Sequence, residues 1–154
     1  MLALRWDNAV GAARLVKDDL GALGTDESLE TLVLLSVFTD AEATPGELQT
    51  SGLDRQAGWW ADNDALRDEG ARRIGCKLWL LSRGKTTLET QRRAEAYVKD
   101  SLMWLIDRGI VSAVNVLATR PRPGVIAIDL SMTRPNKLLP TYRRLWEIRH
   151  DAFL

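Results

Sequence analysis

The chain reads as a single α+β domain over residues 1–154, and three observations predict it. A long amphipathic helical pattern fills 86–108. The apolar period drops from helical to two directly after Gly109. Pro121-Arg122-Pro123-Gly124 then splits a β-branched stretch in two. Helices come first and the surest sheet lies near the C-terminus, which is the order of an α+β domain. A chain of this length buries about two-thirds of its unfolded surface and needs no disulfide or metal to stand.

Residues Leu2 to Trp6 alternate, Asp7-Asn8 with Gly11 can turn, and Ala13 to Val16 can return, so a short N-terminal hairpin is expected. Asp18-Asp19 and Gly21 to Gly24 break regular structure, and Thr25 is positioned to cap a helix over about 26–38. Leu29, Leu32, Val33, Leu34, Leu35, Val37 and Phe38 cover most of that helix, which predicts burial on more than one side. From about 40 to 70 the pattern dissolves into Thr, Gly, Pro, Asp and Asn, a long loop of the kind that is functional or orders on binding. Ile74, Leu78 and Leu81 mark a short helix over 72–83 that carries Cys76 and Trp79.

The spine of the fold is the helix over 86–108, roughly 30 Å long. Thr86 with Glu89 forms a capping-box pattern, and Gly109 supplies the left-handed stop. Ala94, Tyr97, Val98, Ser101, Leu102 and Leu105 form the face to be buried, with Arg92, Arg93, Glu95, Lys99 and Asp100 opposite. A β-hairpin over 110–133 follows, laid against this helix. Ile126, Ile128, Leu130 and Met132 face the core, and Asp129, Ser131 and Thr133 face the wetter side. After Pro135 and Pro140, residues 141–153 are expected to form a short helix or an extended tail bearing Tyr142, Leu145, Trp146 and Ile148.

Lysine plus arginine equals aspartate plus glutamate, 21 each, so no net field draws the chain to nucleic acid or an anionic membrane. The doublets Arg72-Arg73, Arg92-Arg93 and Arg143-Arg144 are better read as solvated faces than as a phosphate track. One cysteine and one histidine, Cys76 and His150, exclude an internal disulfide and disfavour a thiolate–imidazole metal site or a nucleophile–base pair. No phosphate-binding or dinucleotide-binding glycine motif, HExxH or GxSxG occurs, and no cofactor is expected. MLALRWDNAV lacks a cationic n-region before an apolar core, and no apolar run approaches membrane-spanning length. The expectation is a soluble protein made in a reducing cytoplasm, without membrane insertion.

Six tryptophans are many for this length, and Trp59-Trp60 sit inside the aperiodic loop, followed by Asp62, Asn63 and Asp64. Three readings of the pair stay open: plugging the edge of the chain's own core, anchoring a protein interface, or stacking on a sugar. Asp62, Asp64, Asp68 and Glu69 lie in a polar loop. Solvation there keeps them ionised, unlike the raised acid of a glycosidase.

Several strings recur together: Leu29-Glu30-Thr31 leading into Val37-Phe38-Thr39-Asp40; Gly58-Trp59-Trp60-Ala61-Asp62; Ile74-Gly75-Cys76-Lys77-Leu78-Trp79-Leu80-Leu81; Arg93-Ala94-Glu95-Ala96-Tyr97; and Leu145-Trp146-Glu147. In order and spacing, over nearly the whole chain, they resemble the small baseplate proteins of Mu-like contractile-tail phages, a family related to the baseplate wedge proteins of larger myophages. The resemblance implies a non-enzymatic structural part of the virion tail tip, assembled in the host cytoplasm. It would be held in several copies around the tail axis against other baseplate and tail proteins. In the wider family the long helix ends in a Glu-Pro-Arg turn that locks neighbouring subunits. The matching place here is Ile106-Asp107-Arg108, which keeps an acid and an arginine but not the proline. The partner-binding residues expected on these grounds are Trp59, Trp60, Asp62, Asp107 and Arg108. The rival from another class is a tail-associated peptidoglycan hydrolase or sugar-binding module using Trp59, Trp60 and the nearby acids.

Overall fold

The computed structural model describes residues 3–7, 9–17, 29–54, 58, 74–82, 87–135 and 142–149. In chain order these form β1 (Leu4–Asp7), β2 (Ala12–Leu15), α1 (Leu29–Phe38), α2 (Pro45–Ser51), a 3-10 turn (Leu78–Leu81), α3 (Leu88–Asp107), β3 (Ala113–Arg122), β4 (Val125–Thr133) and β5 (Tyr142–Arg149). The strands make two antiparallel sheets, β1-β2 and β3-β4-β5, so the fold is α+β.

Helix α3 organises the core. Ala94, Val98, Leu102 and Leu105 recur at steps of three and four, and none retains exposed surface. They share one core cluster with Ile128, Leu130 and Met132 of β4, which are equally enclosed. The cap of α3 sits one residue later than its sequence suggests. Thr87 Oγ1 accepts from the Thr90 N–H and Thr90 Oγ1 accepts from the Thr87 N–H, both at 3.3 Å. The expected cap Thr86 lies outside the described residues, and Glu89 pairs instead with Arg93, one turn on, at 3.0 Å. At the other end Gly109 adopts φ 67°. Its N–H donates to Ile106 O at 2.8 Å and the Ile110 N–H donates to Leu105 O at 2.9 Å, the paired bonds of a Schellman stop.

Four expectations are corrected. The segment after Pro140 is neither helix nor tail but the strand β5, which places Tyr142, Arg144, Trp146 and Ile148 in register with Met132, Leu130, Ile128 and Ile126 of β4. Its arginines obscure the alternation, although Trp146 is buried and its neighbour Leu145 is exposed as period two requires. The short helix over 72–83 shrinks to one 3-10 turn. Gly75, at φ 126°, takes a positive-φ conformation that suits glycine and interrupts a helix, so the helical turn begins only at Leu78. The stretch read as loop from 40 contains helix α2, nucleated by a capping box between Thr44 and Glu47 with Pro45 in its first turn. Lastly, Glu95 belongs to the packed side of α3: its Oε1 accepts the Ala118 N–H of β3 at 2.9 Å, tying helix to strand.

The N-terminal hairpin is seated on α1. The Leu4 N–H donates to Thr31 Oγ1 at 3.1 Å, and Trp6 stacks on Phe38 with ring centroids 4.2 Å apart. Phe38 in turn meets the edge of Trp146 at 5.4 Å, which carries the packing through to β5. Helix α1 is buried on several sides, as its apolar circumference requires. Ser36 Oγ donates to Leu32 O and accepts from Trp104 Nε1 at 3.1 Å, which joins α1 to α3.

Candidate partner-binding surfaces

Two regions of surface are built with unusual definition, one near each end of α3. The first begins where the chain leaves α1. Residues 39–41 run beside 75–76 as a short parallel bridge: the Cys76 N–H donates to Thr39 O at 2.8 Å and the Ala41 N–H donates to Cys76 O at 3.0 Å. Only glycine fits at position 75. A Cβ there would sit 2.8 Å from both Thr39 O and Ala41 N. Trp79 Nε1 closes the same latch by donating to Ala41 O at 2.9 Å.

Beyond the latch, Lys77 Nζ donates to both oxygens of Glu47, at 2.8 and 2.9 Å. Glu47 also accepts from the Thr44 N–H, completing its capping box. Burial alone would raise the Glu47 carboxyl, but the bonds from Lys77 and Thr44 outweigh it and hold the group below the ordinary carboxylate range. Leu53 and Ala43 seat this segment on Trp79 and Leu80 in an apolar cluster of their own.

The Lys77–Glu47 pair stands between two clefts that Tyr97 of α3 lines on both sides. The larger, about 490 Å³, runs between α2, the 3-10 turn and α3, and is lined by Thr44, Glu47, Ser51, Leu80, Leu81 and Arg93 as well as Tyr97. The smaller, about 200 Å³, is lined by Gly75, Cys76, Lys77, Asp100 and Ser101. Cys76 is buried, and desolvation pushes its thiol up to about 12, so it is a packing residue and not a thiolate. Among the described residues, no group of three or more His, Cys, Asp or Glu could hold a metal ion, and no helix is long and apolar enough to cross a membrane.

The second region is the turn after α3. Asp107 and Arg108 are both exposed there, roughly 15–22 Å along the helix axis from Tyr97 and Arg93. The turn is fixed by the Schellman stop and by Ser112, whose N–H and hydroxyl both donate to Thr133 O at the far end of β4. Trp59, Trp60 and Asp62 lie outside the described residues. Gly58, just before them, runs past Glu42 beside the latch, where a Cβ added at position 58 would lie 3.4 Å from Glu42 Cβ. The other four tryptophans are structural: Trp79 and Trp146 are buried, and Trp6 and Trp104 pack on the core.

The cleft residues Glu47, Lys77, Arg93 and Tyr97 were not distinguished as a group by sequence. The signal that could have located them is Thr44-Pro45-Gly46-Glu47, a capping-box pattern that announces α2 and so brings Glu47 to face Lys77.

Residues 29–138 match the family model described as Phage protein GP46. The chain is 40% identical over 135 residues to the baseplate protein gp46 of Escherichia phage Mu, covering 88% of each. It is 32% identical over 151 residues to the Mu-like prophage FluMu protein gp46 of Haemophilus influenzae, covering 96% of this chain and 98% of that protein.

Proposed function

The chain belongs to the Phage protein GP46 family of Mu-like phages, and from that premise we propose that it is a non-enzymatic structural component of a contractile-tail baseplate. It assembles with other baseplate proteins, in several copies around the tail axis, and residues 1–154 act as one wedge-like domain. The observation that carries this reading is the extent of the match: a relative named as a baseplate protein aligns over 88% of both chains. The rigid architecture supports it. A capped, well-buried α3 holds the latch-and-cleft region and the Asp107-Arg108 turn at a fixed separation, which suits a strut between neighbours better than a mobile binding lobe.

Trp59, Trp60 and Asp62 form one contact region in this reading, and Asp107 with Arg108 the other. Arg108→Ala and the Trp59→Ala, Trp60→Ala double variant are expected to remain folded by circular dichroism while losing assembly with neighbouring baseplate proteins in co-purification. A double variant that fails to fold would move both tryptophans into the core. Unaffected assembly by Arg108→Ala would remove the turn from the interface. Incubation with cell-wall sacculi is expected to release nothing, and soluble fragments would overturn the non-enzymatic reading.

A further inference from the structure

The larger cleft holds polar groups whose donor capacity is not fully used among the described residues. Arg93 uses its Nε on Glu89, at 3.0 Å, and makes no other hydrogen bond with the described residues, so the two terminal amino groups of its guanidinium remain available. The hydroxyl of Tyr97, half-buried on the same wall, likewise has no partner among the described residues. Desolvation, with Glu47 adding to it, raises Tyr97 above its ordinary range, so it keeps its proton and can donate. The acid facing these groups is already committed: Glu47 is held by Lys77 and Thr44. Leu80 and Leu81 supply an apolar floor beside the donors.

We propose that this cleft takes an extended segment of a partner protein bearing a single carboxylate, seated between the Arg93 guanidinium and the Tyr97 hydroxyl, with an adjacent apolar side chain on Leu80 and Leu81. Charge selects a single carboxylate over a polyanion. One arginine fork is available, while Glu89 and Glu47 stand close by and would repel a phosphate or nucleic-acid backbone. The inference rests on the baseplate reading only for where the partner is found; the cleft's preference is a property of this chain and can be measured without any tail.

The test uses the full chain and two capped leucine–serine hexapeptides that differ at one central position, aspartate in one and asparagine in the other, titrated by calorimetry, with inorganic phosphate as a third ligand. The aspartate peptide is expected to bind at least about tenfold more tightly than the asparagine peptide, and phosphate to compete with neither. Arg93→Gln is expected to abolish that preference, and Tyr97→Phe to reduce it several-fold; both are surface-side changes checked for native circular dichroism. Equal binding of the two peptides, saturation by phosphate, or full preference retained in Arg93→Gln would overturn the proposal. Peptide discrimination by a chain that proves absent from tails would overturn only the baseplate reading.

Discussion

At Gly75 two backbones approach more closely than any other residue allows. Because the atoms a Cβ would strike are Thr39 O and Ala41 N, both main chain, no side chain can swing aside to make room. Gly75→Ala is therefore expected to cost about 3 kcal/mol, a fall in Tm of roughly 6–12 °C for a chain of this size. A melting curve shifted by less than about 2 °C would mean that the latch is not closed in solution. Its neighbour Cys76 should resist iodoacetamide in the native state and react once unfolded. Its thiol is raised from 9.0 to about 12, so the native state holds the proton more tightly, and that contribution to stability is present below pH 9 and lost as pH rises toward 12. Glu47 has the opposite sign. Its carboxyl is depressed in the folded state, so its contribution is present at neutral pH and lost as pH falls through the folded value. Glu47→Gln should cost about 1 kcal/mol at pH 7 and nothing once the wild-type carboxyl is protonated, as read from urea unfolding at both pH values. An equal cost in acid would assign the effect to the cap geometry and not to the charge.

Among the elements, α3 and the β3-β4 hairpin were legible in the sequence because one physical signal dominates each. In α3 the apolar positions recur at the helical period, and Gly109 ends it by the conformation the motif demands. In β4 the alternation survives because Ile126, Ile128, Leu130 and Met132 all face the core. The elements that were missed are fixed by tertiary contacts. Leu78, Trp79, Leu80 and Leu81 are buried all round, so their pattern carries no period, and the 3-10 turn follows from the latch and not from propensity. Strand β5 exists because β4 offers it an edge. Helix α2 is short and glycine-bearing, and its local signs are confined to its ends: the capping box with Pro45 at the start and Gly52 in the left-handed conformation at the stop. Caps can be tested directly. Thr87→Ala removes the acceptor of the Thr90 N–H at the start of α3, leaving the Thr87 N–H on Thr90 Oγ1, and should lower stability by about 1 kcal/mol, with faster amide exchange confined to the first turn. Unchanged exchange there would place the helix start elsewhere.

In the molecule as a whole, packing runs continuously from the N-terminal hairpin through α1 to α3 and the three-stranded sheet, linked by Trp6, Phe38 and Trp146. That continuity is what allows surface regions at the two ends of α3 to keep a fixed spacing. The proposed baseplate role uses this rigidity: neighbours docked at the latch side and at the Asp107-Arg108 turn would be held in set relation by one helix. The Trp59-Trp60 pair was the most suggestive sequence feature of a partner, and Gly58 against Glu42 brings the chain to the latch side just before it. The decisive measurement is quantitative mass spectrometry of purified tails from the phage or induced prophage that carries this chain. The chain is predicted to be present in several copies per tail, in fixed ratio to the other baseplate proteins. Complete, functional tails that contain none of it would contradict the structural role.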